Sequence, residues 1–160
     1  MISKSALHAI RAAAILALLG KGEFAETGSL ARRIDAPPNY LGKLLQSLAR
    51  GKLVVSRKGP RGGFQLARDP SSIRLLDIVD AIDQVSRWEG CFLGLPTCSD
   101  SSPCAVHERW DRVRGEYLDL LTDTTIADVV DRLLEAKDGT AERDIDVATS
   151  NLLGIEAPPG

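Results

Sequence analysis

The 160-residue sequence lacks any apolar run fit to cross a bilayer; the stretch Ala12 to Leu19 falls far short of the roughly 20 residues a spanning helix needs. No small-residue cleavage site follows that stretch, so a secretory leader is not expected either, and the expected location is cytoplasmic. Cysteine is scarce and odd in number, at three, which argues against a secreted disulfide framework. No internal repeat, phosphate-cradling loop or nucleophile–base pair is apparent, so an enzyme or an electron carrier is not the expectation. What remains is an ordinary globular composition, 44% hydrophobic with a mean hydropathy of -0.05, at a length suited to one domain plus appendages.

The net charge of -2 conceals a strong segregation. From Arg32 to Arg68 there are nine Lys or Arg and one acid, Asp35; from Asp69 onward there are nineteen acids and eight bases. A basic segment joined to an acidic one is what a nucleic-acid-binding module with a non-binding neighbour shows, although a solvated basic face has the same composition.

Local patterning gives the basic segment a shape. Ser3 to Leu19 reads as an Ala-rich helix with Leu7, Ile10, Ala14 and Leu18 inward, ended by Gly20. A short helix over Leu30 to Ile34, capped by Thr27 or Ser29, is halted by Pro37-Pro38. The next helix runs from Pro38 to about Arg50, with Leu41, Leu44, Leu45 and Leu48 on one face and Gly51 as C-cap. Leu53–Ser56 and Gly63–Ala67 have strand character, joined by Arg57-Lys58-Gly59-Pro60-Arg61-Gly62, which is turn chemistry with three positive charges. Helix, turn, helix and basic hairpin in that order describe a winged helix-turn-helix.

In such a module the start of the second helix enters the major groove, so Asn39, Tyr40 and Lys43 are the candidate base readers. Asn pairs with adenine, Lys donates to guanine, and Tyr reaches a phosphate or a thymine methyl. Arg57, Lys58 and Arg61 at the wing tip are placed for phosphates or an adjacent minor groove, and Ser29 completes the DNA-facing set.

The three cysteines, Cys91, Cys98 and Cys104, fall within fourteen residues, with His107 three further on. Clustered thiolates select zinc, cuprous copper or iron–sulfur clusters. The spacings exceed the Cys-x2-Cys knuckles common in structural zinc sites and suit an open loop around a larger object. Phe92, Leu93 and Leu95 are expected to shield that object from water. Pro103 is expected to start a long helix, capped by Ser102, with Cys104 in its first turn. Val106, Trp110, Val113, Tyr117 and Leu120 then form a heptad-like seam, for another helix or for the chain's own core. Thr124 to Leu134 reads as a further helix.

The run from Ser29-Leu30-Ala31-Arg32-Arg33-Ile34 through Leu48, the wing Ser56-Arg57-Lys58-Gly59-Pro60-Arg61-Gly62-Gly63-Phe64 and the three-cysteine window resemble the Rrf-two family of bacterial transcriptional regulators, of its iron–sulfur-binding type. The resemblance covers about residues 1–135. It implies a mainly α fold with a small β-hairpin wing and a long dimerisation helix. It also implies a homodimer bound to double-stranded promoter DNA and a [2Fe–2S] or [4Fe–4S] cluster on Cys91, Cys98 and Cys104. His107 matches a histidine ligand of some members. Others take an aspartate from the first helix, where this chain has Leu7 with His8 adjacent, leaving His107 first and His8 second as fourth ligand.

The expected organisation is a DNA-binding domain over 1–83, a cluster loop over 84–104, a dimerisation helix with its successor over 103–135, and a loosely ordered acidic tail over 137–160. The alternative is a regulator on the same frame that senses zinc or thiol redox state without a cluster.

Overall fold

A computed structural model describes residues 2–20, 22–87 and 90–135; the expected acidic tail lies outside the described residues. The first helix, α1 (Lys4–Ala17), begins where the Ser3 side chain accepts a hydrogen bond from the Ala6 amide at 3.0 Å, satisfying a donor the helix leaves unpaired. Ala6, Ala9, Ala12, Ala13 and Ala14 are all buried, as are Ile10, Ile15 and Leu16. Side chains this small let neighbours approach α1 from several directions. Of the residues expected inward on α1, Ile10 and Ala14 are buried and Leu18 packs half-buried against the core, but Leu7 is exposed and His8 lies in the core beside them.

Two helices follow, α2 (Thr27–Arg33) and α3 (Pro38–Arg50). The first starts earlier than expected, and Glu26, rather than Thr27 or Ser29, occupies its cap position, with no side-chain cap bond. The second matches its expected ends, with Pro38 in the first turn and Leu41, Leu44, Leu45 and Leu48 buried. Gly51 is its C-cap, as expected, with φ -73°, and Lys52 after it takes the left-handed backbone at φ 56°.

The wing is an antiparallel pair, β1 (Val54–Arg57) and β2 (Gly63–Leu66), in register from Val54 opposite Leu66 to Arg57 opposite Gly63. Its far edge is extended by Ala25, whose N–H and C=O exchange hydrogen bonds with Phe64 at 2.9 Å each. That third segment leaves no room for a side chain at Gly63, and the hairpin's own backbone leaves none at Gly62. A Cβ on Gly63 would lie 2.2 Å from the Ala25 carbonyl oxygen, and one on Gly62 would lie 2.3 Å from that of Arg57.

Helix α4 (Leu75–Asp83) leads toward the cysteines, and its last residue ties it back to α1. Ser3 donates to the Asp83 carboxylate twice, from its backbone at 3.0 Å and from its hydroxyl at 2.6 Å. The long helix α5 spans His107–Asp123, starting four residues after the expected Pro103. Ser99 and Ser102 exchange backbone hydrogen bonds at 3.3 and 3.0 Å, and that closed turn, not Ser102 capping, precedes the helix. Helix α6 (Ile126–Glu135) is capped by Thr125, whose hydroxyl accepts from the Asp128 amide while the Asp128 carboxylate accepts from the Thr125 amide.

The helical pair α5–α6 is stitched to the winged half by backbone. Leu75 N–H donates to the Thr124 carbonyl at 2.8 Å, and Ile126 N–H donates to that of Ile73 at 2.9 Å. Leu121 and Ile126 complete the core, whereas Val113 and Leu120 of the expected seam stand 57% and 59% exposed. Among the described residues no helix is long and apolar enough to cross a membrane.

His8 gives this core a pH dependence. The residue is 5% exposed, Nδ1 has no hydrogen-bond partner, and its ring packs T-shaped against that of Tyr40 with centroids 5.7 Å apart. Burial, then the charges of Arg11 and Lys4, hold its pKa below the ordinary histidine value of 6.5. The folded chain keeps the ring neutral while the unfolded chain takes up a proton first. Stability is therefore complete above the unfolded pKa and falls as pH drops toward the folded one. In urea unfolding between about pH 7.5 and 5, wild type is expected to lose stability over that window, and His8→Phe to lose less.

Candidate metal centre and nucleic-acid interface

The two faces of α3 divide its labour. Its leucines face the core, and Asn39 and Lys43 are exposed on the other side, continued one and two turns on by exposed Gln46 and Arg50. Gln46 and Arg50 were not singled out from the sequence, although the spacings of four, three and four that join them to Asn39 and Lys43 were legible there. Tyr40 does not share this face. Its hydroxyl donates to Ser5 Oγ at 2.7 Å and its ring packs on His8, so it fastens α3 to α1. Ser29 is half-buried on α2.

At the wing tip Arg57, Lys58 and Arg61 are all exposed. Arg57 is held in place: its guanidinium lies 4.0 Å from the centroid of the Phe24 ring and donates to the Arg61 carbonyl at 2.7 Å. Phe24 is a third residue the sequence reading passed over, since a lone aromatic in a loop gives no local signal. The structure thus places basic side chains at the wing tip and polar ones along the outer face of α3.

The cysteine window folds into one cluster of sulfurs. The Sγ atoms of Cys91, Cys98 and Cys104 lie within 4.8 Å of one another, and those of Cys91 and Cys104 are 3.6 Å apart. All three are free and half-buried. A tight turn brings Cys91 round, with the Gly94 amide donating to the Cys91 carbonyl at 2.9 Å and Gly94 at φ 67°. The loop is pinned to α5, where Trp110 donates from Nε1 to the Gly90 carbonyl at 3.2 Å and stacks against Phe92 at 5.2 Å.

His107 opens α5 beside the sulfurs. Its Nδ1 lies 3.2 Å from Cys98 Sγ, and its Nε2 lies 3.0 Å from an Asp100 carboxylate oxygen. Asp100 was not anticipated. His8, the second candidate, sits against Tyr40 and is not part of the sulfur group.

The local electrostatics differ from thiol to thiol. The Leu95 amide, then that of Leu93 and the neighbouring thiols, pull the Cys91 pKa down to about 7, so a large share is thiolate at neutral pH. The Cys104 amide favours the Cys98 thiolate, but desolvation and the adjacent Cys104 and Cys91 outweigh it and push that thiol up. Cys104 lies before the start of α5, so the first-turn placement expected for it does not hold.

Three soft sulfur donors converging with an imidazole fit an iron–sulfur cluster or zinc. The apolar loop does not cover them as expected: Phe92, Leu93 and Leu95 are 62%, 54% and 46% exposed. Cys98, His107 and Asp100 also stand in the order of a nucleophile, its base and an orienting acid. The raised Cys98 thiol and two crowding sulfurs make that a poor nucleophile.

The Rrf2 (Rrf-two) family model, described as an iron-dependent transcriptional regulator, matches residues 2–132. An Aquifex aeolicus protein, provisionally named an HTH-type transcriptional regulator, is 32% identical over 132 residues, 81% of this chain and 91% of its own. The HTH-type transcriptional regulator IscR of Vibrio atlanticus is 29% identical over 115 residues, 71% of this chain and 64% of its own. The solved structure of T. potens IscR superposes with a TM-score of 0.70 at 25% identity, covering 89% of this chain and 93% of that one. The helix-turn-helix, the wing and the match along most of the described chain together place this protein in the Rrf2 family of transcriptional regulators.

Proposed function

We propose that this chain is a homodimeric, cytoplasmic transcriptional regulator whose promoter affinity is set by an iron–sulfur cluster on Cys91, Cys98, Cys104 and His107. The observation that carries the reading is the convergence of the three Sγ atoms within 4.8 Å, with His107 Nδ1 against one of them. Similarity to proteins named IscR supports the same assignment.

The chain's own residues give a mechanism. Domains over 1–83, 84–104 and 103–135 act as reader, sensor loop and dimer helix. The cysteine loop joins α4, whose Ile78 and Val79 lie in the core, to α5, whose first residue is His107. When bound, the cluster supplies a redox- and nitric-oxide-sensitive cross-link among these four side chains. With all four held together, the loop fixes where α5 starts relative to the winged module. With them released, only backbone stitches and core packing do so, and the spacing of two recognition helices across a dimer loosens. Half-site spacing is geometric, so a small shift costs much affinity.

The partner fits a second copy of the chain. Val113 and Leu120 are exposed along α5. Flanking them at helical spacing, exposed Arg109 lies toward the N-terminal half and exposed Glu116 toward the C-terminal half, while exposed Glu108 and Asp111 fall on the far side of the helix. Antiparallel apposition of two copies sets arginines against carboxylates, whereas parallel apposition sets like against like. Leu120→Arg is expected to give a folded monomer by sedimentation, with circular dichroism unchanged.

On DNA, Asn39, Lys43, Gln46 and Arg50 face the groove, while Ser29, Arg57, Lys58 and Arg61 approach the backbone or minor groove, with Tyr40 positioning the helix. Arg61→Ala is expected to weaken binding to all duplexes and lower the salt slope by about one. Asn39→Ala is expected to change base preference, costing about 1–3 kcal/mol at one position. Titration against a randomised-site panel distinguishes them, and identical behaviour overturns the groove assignment.

A second reading keeps the DNA-binding half but senses thiol state or zinc, favoured by the 3.6 Å Cys91–Cys104 separation and the lowered Cys91 pKa. Absorption with iron and sulfide analysis on anaerobically purified protein separates the two. A brown wild type that bleaches in Cys98→Ala is the expected result. A colourless wild type that takes up nothing on reconstitution leaves the second reading standing.

A further inference from the structure

We propose that Asp100 is a positioning residue that presents His107 to the metal centre through Nδ1. The inference rests on the metal reading of the cysteine group and goes beyond it by assigning a donor atom and the residue that selects it.

The geometry starts from the turn between the second and third cysteines. Ser99 and Ser102 exchange backbone hydrogen bonds, and the hydroxyls of Ser99 and Ser101 lie 3.0 Å apart. That closed turn holds Asp100 at its tip. The Asp100 side chain is fully exposed, yet one oxygen lies 3.0 Å from His107 Nε2, and the histidine side chain is largely covered. On the opposite side of the ring, Nδ1 lies 3.2 Å from Cys98 Sγ.

A carboxylate has only acceptors to offer, so the nitrogen it faces carries the proton. In a neutral imidazole the lone pair is then on Nδ1, the atom that faces the sulfur group. Remove Asp100 and nothing at Nε2 favours that tautomer, while the ring is free to turn its other edge inward. An exposed carboxylate–histidine contact contributes little to folding. Its place here matches instead the outer carboxylate that orients a histidine ligand and keeps it basic. The residue is well suited to the task because it sits two positions after Cys98, so the turn that places one ligand also places the group that aims the other.

The test uses the full-length chain with Asp100→Ala, Asp100→Asn, His107→Ala and the Asp100→Ala/His107→Ala double variant. Two readouts are taken: loss of cluster absorbance to an anaerobic iron chelator, and the His107 tautomer by long-range proton–nitrogen correlation in metal-free protein. In wild type the Nε2–H tautomer is expected, and in Asp100→Ala a mixture. Asp100→Ala is expected to release iron roughly tenfold faster, as His107→Ala does. Asp100→Asn, whose amide oxygen still accepts from Nε2–H, should fall between it and wild type. Because Asp100 acts through His107, removing it in the His107→Ala background should add nothing, a coupling that a merely structural role does not produce.

Iron release from Asp100→Ala at the wild-type rate, or equal acceleration with and without His107, overturns the role of Asp100 alone. An unchanged tautomer in Asp100→Ala does the same. A wild type that takes up no iron or sulfide overturns the metal-centre reading, and the role of Asp100 with it.

Discussion

The buried face of α1 is the constraint on which the other elements depend. Ala6, Ala9, Ala12, Ala13 and Ala14 leave its backbone nearly bare, and α3, α4, α6 and β2 all pack against it. A larger residue at any of these positions would push one neighbour outward, and a close-packed interior does not absorb an added methylene without strain. Because α3, the helix leading to the cysteines, α6 and the wing strand β2 all rest on one rod, their relative positions are set together. That common support connects the segment leading to the cysteines with the outer face of α3.

A run of named contacts follows that rod. Cys91 lies in the loop after α4; Asp83, ending α4, holds the backbone and hydroxyl of Ser3; Ser3 caps α1; Ser5 accepts from Tyr40 on α3. Tyr40 is one residue from Asn39. The cysteine loop and the residue next to Asn39 are thus joined through two short polar links at the N-terminal end of α1. Continuity of this kind is a physical connection, and its energetic coupling belongs to double-mutant cycles.

How much of this could be read beforehand varies with how local the cause is. Helix α3 was legible to the residue because Pro38 and the leucine spacing are properties of the segment itself. The wing was legible for the same reason, through its glycines and alternation. What failed was decided from a distance. Leu7 faces outward because alanines, not larger residues, are what several neighbours can pack against. The start of α5 moved to His107 because the Ser99–Ser102 turn and the gathered sulfurs hold the preceding chain. The heptad seam split, with Tyr117 packed against the core and Val113 and Leu120 left outside. Of the candidate centre, the three sulfurs were legible by proximity in sequence, and His107 by its place after the third. Asp100 was hidden, since a lone acid in a serine turn has no signature until its neighbour is placed.

The crowding at the wing has a bearing on how such a protein diversifies. Gly62 and Gly63 are walled in by the carbonyls of Arg57 and Ala25, so neither accepts a side chain without parting the strands. Lys58 and Pro60, by contrast, are exposed and free of the left-handed backbone found at Gly59 and Arg61. Sequence change on this side of the protein therefore has two narrow channels open to it: the tip of the hairpin and the outer stripe of α3. The scaffold holding those channels can stay fixed while the chemistry they present to a partner is rewritten.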